Sequence, residues 1–176
     1  MSRIPPLEQE QARGWAREEW ERQVRAHGRM THMKRTLARS DVALRALMEW
    51  YALRDVVRPF LGERLCDLYS HAISAETDCL ICSTYFRRAL IDRGERPDEP
   101  MLDAREQAVI DFGRELATGR HRVADDTYAR MARHFTPEQI VTLTAFGALM
   151  VATNVVNNAL EVDLDDYLKP YVKDAP

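Results

Sequence analysis

The sequence predicts an all-α protein, a multi-helix bundle, on three observations. Apolar residues recur with helical period along almost the whole chain. Only 7 glycines occur in 176 residues, and β-branched runs are few. Helix start and stop signals punctuate the chain at intervals suited to helices of ordinary length. About seven or eight helices follow from this pattern, and no strand. There is no internal repeat, no Gly/Ser linker and no low-complexity tract.

The first helix is expected over residues 7–27, where Leu7, Trp15, Ala16, Trp20 and Val24 form an apolar stripe among many Glu and Arg. A second is expected over 30–38 through Met30, Met33 and Leu37. Ser40 is a good N-cap for a third, running to about Val57 and interrupted by Pro59. Residues 62–74 read as a buried helix through Leu65, Cys66, Leu68, Tyr69 and Ile73. Thr77 or Asp78 is the expected N-cap of the next helix, which ends at the Gly94 and Pro97 stop signals. Asp103-Ala-Arg-Glu106 has the spacing of a capping box and opens a helix through Val109, Phe112 and Leu116. Asp125 or Asp126 caps a short helix to His134. Thr136-Pro-Glu-Gln139 is a hydroxyl cap with proline at the first position, and its apolar helix is expected to reach Leu160. The tail, 161–176, is acidic and then broken by proline. One all-helical domain over 1–176 is expected, with 1–28 an amphipathic arm laid on the bundle or on a neighbouring subunit.

A formal net charge of -3 gives no global pull toward nucleic acid or anionic membrane. The N-terminus, Met-Ser-Arg-Ile-Pro-Pro, lacks the apolar core of a secretory signal. The longest apolar stretch, 141–152, is short for a bilayer and carries Thr142 and Thr144. A soluble cytoplasmic protein is expected, with no nucleic-acid or membrane partner.

The chemically specific feature is Cys79-Leu-Ile-Cys82. Cys66 is the third cysteine, and an odd count does not suit a structural disulfide framework. A Cys-x-x-Cys pair supplies half of a zinc site or a redox-active dithiol. Zinc wants about four ligands, and no second Cys-x-x-Cys or His-x3-5-His pair stands nearby. At a helix N-terminus a thiolate is stabilised by unpaired amides, and disulfide exchange requires a thiolate. Two buried, inert thiols are the bland alternative, which Leu80 and Ile81 favour. No cofactor and no metal is expected.

The run Ala75-Glu-Thr-Asp-Cys79-Leu-Ile-Cys82-Ser-Thr-Tyr-Phe86-Arg87, the Asp103-Ala-Arg-Glu-Gln helix and the Phe135-Thr-Pro-Glu-Gln segment with Asn154, Asn157 and Asn158 resemble the carboxymuconolactone decarboxylase superfamily. Within it the similarity is to the alkylhydroperoxidase D-like branch, over roughly residues 30–168. The resemblance implies an oligomeric all-α bundle, a dimer, trimer or hexamer. It also implies a thiol-dependent peroxide or disulfide reductase, in which Cys82 attacks and Cys79 resolves, restored by a thiol reductant. In that family a histidine four residues beyond the second cysteine and a glutamate upstream relay protons. Here those places hold Phe86 and Asp67. A phenyl ring moves no proton, so a second reading is a helical oligomeric module of the same family that has lost catalysis.

His71 is the expected substitute base. It stands eight residues before Cys79 and titrates near neutral pH. Asp67, one turn before His71, is the expected carboxylate to orient it. A packed histidine and a surface salt bridge are the plainer readings of the two. Asn154, Asn157 and Asn158 could face the dithiol or a subunit interface, and an interface or core network is the expected place. Cys66 is expected to be a packed core thiol.

Overall fold

The computed structural model describes residues 2–173 and contains eight α-helices and no strand among them. They are α1 (Gly14–His27), α2 (His32–Leu37), α3 (Asp41–Leu61), α4 (Glu63–Glu76), α5 (Leu80–Ile91), α6 (Ala104–Ala117), α7 (Asp125–Ala132) and α8 (Pro137–Ala159). Short 3-10 turns lie at Gln9–Gln11 and Asp166–Tyr171. The last three residues of the expected tail, 174–176, lie outside the described residues.

The helix starts that carry complete capping signals form as read. Asp103 and Thr136 both close capping boxes, on Glu106 and Gln139. Ser40 accepts the amide of Ala43. Three boundaries differ from expectation. The first helix divides into a 3-10 turn and α1, which opens at Gly14 with φ +49°. Pro59 does not stop α3, which continues to Leu61. The amide it removes belongs to the final turn, and Asp55 and Pro59 are both exposed, so the freed carbonyl faces water. Gly62, with φ +82°, then ends α3 and begins α4 without a linker. The third difference lies at the cysteine turn, described below.

α4 is the axis of the bundle, with α3, α5, α6 and α8 packed around it. Its Tyr69 is fully buried and donates its hydroxyl to the Leu143 carbonyl of α8 at 3.1 Å. Room for the ring comes from two glycines. A Cβ on Gly113 would lie 2.7 Å from Tyr69 Cε2, and one on Gly147 would collide with the hydroxyl. α8 is long and apolar enough to cross a membrane by length and composition. Here its Leu143, Phe146 and Met150 face into the bundle core.

A second apolar cluster joins the N-terminal region to the start of α3. It contains Leu7, Ala12, Ala16, Trp20, Met30, Leu37, Leu44 and Met48. The chain before α1 is tied to the far end of the sequence, where the Ser2 hydroxyl donates to Asp163 at 2.8 Å and the Arg3 amide donates to the Leu160 carbonyl at 2.9 Å. α1 and α2 pack on α3, and their Gln23, Met33 and Lys34 line the cavity of the candidate site together with residues of α5 and α8.

Candidate active site

The turn between α4 and α5 presents the dithiol. Thr77 does not cap α5. Its hydroxyl donates back to the Ile73 carbonyl at 3.0 Å and closes α4. Asp78 takes a left-handed conformation, φ +50°, and reverses the chain. Cys79 itself is the N-cap of α5, with extended dihedrals of −84° and 97°. Its sulfur therefore stands at the helix N-terminus, and Cys82 stands one turn further on.

All three cysteines are free thiols. Cys79 is 1 % exposed and Cys82 5 %, and the difference matters because Cys82 lines a cavity and Cys79 lies behind it. The two side chains are hydrogen-bonded to one another. That bond holds the Cys79 thiol below its ordinary range against the opposing effect of burial, with help from the backbone amides of Cys82 and Ile81 and from Asn157. The same bond, with burial and the charge on Cys79, pushes Cys82 well up. Within the pair Cys79 is thus the more acidic thiol and Cys82 the less acidic one. Cys66 sits in α4, where burial pushes its thiol up to about 12.

The asparagines of α8 hold this arrangement. Asn157 Nδ2 lies 3.2 Å from Cys82 Sγ and 3.9 Å from Cys79 Sγ. Asn154 Nδ2 donates to the Thr77 hydroxyl at 2.8 Å, and Asn158 Nδ2 donates to the Thr77 carbonyl at 2.7 Å. Three amides at helical spacing therefore clamp the turn and touch the thiols. Of the interface or core network expected from sequence, Asn154 and Asn157 form the core network, buried inside the chain, and Asn157 reaches the dithiol.

His71 and Asp67 are not brought to the cysteines. His71 lines a separate cavity of about 290 Å³ with Glu76, Asp98 and Arg114, and burial lowers its pKa to about 4. Asp67 is committed to Arg54 at 3.3 Å and to Arg93, not to His71. Burial raises this carboxyl against the lowering effect of the two guanidiniums. The helical alignment that suggested a proton relay fails because the chain breaks and reverses at 77–78, between His71 and the pair.

The cavity beside Cys82 has a volume of about 350 Å³. Trp50, Met48, Phe86 and Met150 give it an apolar, aromatic wall. Trp50 is stacked on Phe146 at 5.0 Å between centroids and lies 5.9 Å from Phe86. Lys34 is the polar group that sequence reasoning missed. It is 4 % exposed, lines the cavity, and has its Nζ 4.7 Å from the centre of the Tyr51 ring. It donates to Gln23 Oε1 at 2.6 Å; Gln23 donates to Glu19 at 2.7 Å; Arg22 grips the Glu19 carboxylate with two bonds of 2.7 Å. Burial lowers the Lys34 pKa to about 8. A signal existed in the sequence: Lys34 falls on the Met30/Leu37 stripe, where a charge is out of place. Among the described residues no group of three or more His, Cys, Asp or Glu stands together at metal-binding geometry.

Known structures share this architecture. A peroxidase-related protein of Ralstonia eutropha, described as an alkylhydroperoxidase D core, superposes with a TM-score of 0.79 at 20% identity, over 95% of this chain and 94% of that one. The debrominase Bmp8 gives 0.77 at 14% identity, over 96% and 95%. A peroxidase-related protein of a Silicibacter species gives 0.74 at 16%, over 89% and 88%. No family model matches the sequence, and no curated protein does. The fold is that of the alkylhydroperoxidase D-like helical proteins, as the cysteine motif and its flanks imply. A second debrominase structure, a cysteine variant, holds 2,3,4-tribromopyrrole and superposes at 0.78 with 13% identity, over 96% and 94%.

Proposed function

We propose that the protein is a thiol-dependent reductase of small organic hydroperoxides. The observation that carries this reading is the placement of Cys82 on the wall of an apolar cavity, with Cys79, the more acidic of the two thiols, behind it. In the reacting form Cys79 is ionised. As substrate enters, Cys79 takes the Cys82 proton, so the cavity-side sulfur becomes the nucleophile without a histidine. Cys82 Sγ attacks the terminal peroxide oxygen, the O–O bond breaks, and the alkoxide leaves as alcohol by taking the proton that Cys79 now holds. Cys79, thereby a thiolate again, attacks the sulfur of the resulting sulfenic acid and expels hydroxide, which takes a proton from solvent and leaves as water. Two thiols and one hydroperoxide give one disulfide, one alcohol and one water. A small dithiol reductant then restores the pair. A sulfur 5 % exposed inside a cavity suits a small molecule better than the disulfide of a folded partner.

The test is consumption of cumene hydroperoxide with excess dithiol, with the disulfide mapped by mass spectrometry. Cys79–Cys82 bonding and turnover, lost in Cys82→Ser and kept in Cys66→Ala, are expected. Equal turnover without either vicinal cysteine overturns the reading, and no turnover at all favours a module that has lost catalysis. A second reading is supported by the aromatic wall and the debrominase likeness. In it Cys82 takes bromine from a brominated pyrrole, the ring carbon gains a proton, and Cys79 displaces bromide to form the disulfide. Bromide release from a bromopyrrole, without peroxide turnover, would select it.

The cytoplasm, whose reducing conditions keep three thiols free, is the proposed compartment for a soluble protein. The single helical domain is proposed to assemble as a homo-oligomer. Val42, Met101, Val141 and Val155 are large apolar side chains left exposed on it, two of them on α8. Light scattering showing only the monomer mass at micromolar concentration would overturn the assembly.

A further inference from the structure

We propose that Lys34 makes the cavity over Cys82 a receptor for small organic anions, so that the substrate is a compact apolar molecule bearing a carboxylate or an equally acidic group. The proposal deepens the reductase reading by naming the substrate class, and it rests on that reading only in taking this cavity as the substrate's.

Three observations support it. First, the Lys34 ammonium has three donors, and the hydrogen bond it makes is the one to Gln23. Its other neighbour is the face of Tyr51, which attracts a cation but accepts no strong hydrogen bond. Second, the carboxylate nearest in sequence of contacts, Glu19, is already neutralised by Arg22 through two bonds, so the polar chain delivers a net positive end to the cavity. Buried charges are ordinarily paired, and here the partner is incomplete.

Third, the remaining charges around the cavity are mostly of the same sign. Arg29 and Arg88 line it with Lys34, Arg88 also pairing with Asp92 at 3.1 Å, while His27 lines it as a ring whose pKa burial lowers. The two arginines stack on Tyr167, at 4.0 and 5.2 Å from its centre. Asp165 is the one carboxylate on that wall. Its carboxylate is held by His32, accepting the backbone amide at 3.1 Å and lying 3.9 Å from the ring nitrogen Nδ1. Trp50, on the same wall, carries a buried indole N–H with no partner among the described residues. An apolar body laid against the wall of Trp50, Phe86 and Met150, with a charged head on Lys34, covers that wall and completes the hydrogen bonding of the ammonium. A bare inorganic anion would leave the aromatic wall uncovered, and a cation would meet the ammonium unscreened.

The experiment is equilibrium binding by calorimetry and Trp fluorescence, without peroxide. Benzoate and hexanoate are compared with their primary amides, on wild-type protein, Lys34→Met and Lys34→Arg. Wild type is expected to prefer the acids by about tenfold or more, the scale of one charge-assisted hydrogen bond. Lys34→Met is expected to bring the ratio near one while still binding the amides, and Lys34→Arg is expected to keep a preference for the acids. Circular dichroism melts establish that each variant is folded. Equal affinity of acid and amide in wild type, absence of acid binding at millimolar concentration, or a preference that survives in Lys34→Met would overturn the proposal. Because no redox step is read, hydroperoxide turnover can fail while this binding holds, and the reverse.

Discussion

Replacing Lys34 by Met is expected to stabilise the protein at neutral pH. Burial brings the ammonium from an ordinary 10.5 to about 8, a difference worth roughly 3 kcal/mol against the folded state when the lysine is charged. Met has nearly the same volume and no charge to desolvate, so packing around Tyr51 and Met48 is kept. The loss on the other side is the Gln23 Oε1 partner at 2.6 Å, about 1 kcal/mol. A net gain of about 2 kcal/mol at pH 7 remains, or about 4–8 °C in Tm for a chain of this size. The pH dependence fixes the cause. Below pH 8 the lysine is charged in both folded and unfolded chains, and the penalty is whole. Between 8 and 10.5 the folded chain releases the proton while the unfolded chain holds it, so wild-type stability rises with pH and the advantage of Met disappears. Guanidinium unfolding of both proteins at pH 7 and pH 10 reads this as a double difference in which the cysteines cancel. A Lys34→Met protein that is less stable at pH 7, or an advantage unchanged at pH 10, would refute the account of a buried, poorly paired ammonium.

His71→Ala is expected to leave the rate of iodoacetamide alkylation of the vicinal thiols within about twofold, since His71 lines another cavity; a tenfold loss would restore it to the site. Phe86→His introduces the proton carrier that the family pattern has at this place and is expected to raise hydroperoxide turnover, by as much as 10²-fold for general acid–base assistance. Unchanged turnover in a folded variant would mean that proton supply is not limiting. Gly147→Ala is expected to destabilise by about 1–3 kcal/mol through collision with Tyr69, read by thermal melting, and Gly147→Ala on a Tyr69→Phe background is expected to recover part of it. Full stability of the single variant would refute the tight packing of that ring.

The fold was legible because its strongest signals are local. Capping boxes at Asp103 and Thr136 and the hydroxyl cap at Ser40 each satisfy orphan amides within three residues, so spacing alone reveals them. What misled was equally local. Pro59 reads as a stop, but its position in an exposed last turn costs α3 little. Thr77 reads as an N-cap, but a hydroxyl at a helix junction can turn either way, and the α4 carbonyl took it. Tertiary contacts with Asn154 and Asn158 settled that competition, and these come from a helix some eighty residues away.

The same distinction separates the parts of the site. Cys79 and Cys82 are three residues apart, so their meeting on one helical turn follows from sequence. Their surroundings do not, because these converge from separate elements: Asn157 from α8 at the sulfurs, and Lys34 from α2 with Tyr51 and Trp50 from α3 on the cavity wall. His71 and Asp67 were attractive for being close along the chain, and the left-handed turn at Asp78 carries the pair away from them. Phe86 stands where the pattern that the sequence resembles has a proton-carrying histidine, and on the proposed reductase reading the thiol pair, with Cys79 its more acidic member, would move that proton within itself. The aromatic ring that takes the histidine's place gives the cavity wall an apolar surface instead. On that reading the ring acts on substrate choice as much as on rate: an apolar wall with one buried ammonium would select the molecule, and the paired sulfurs would supply the chemistry.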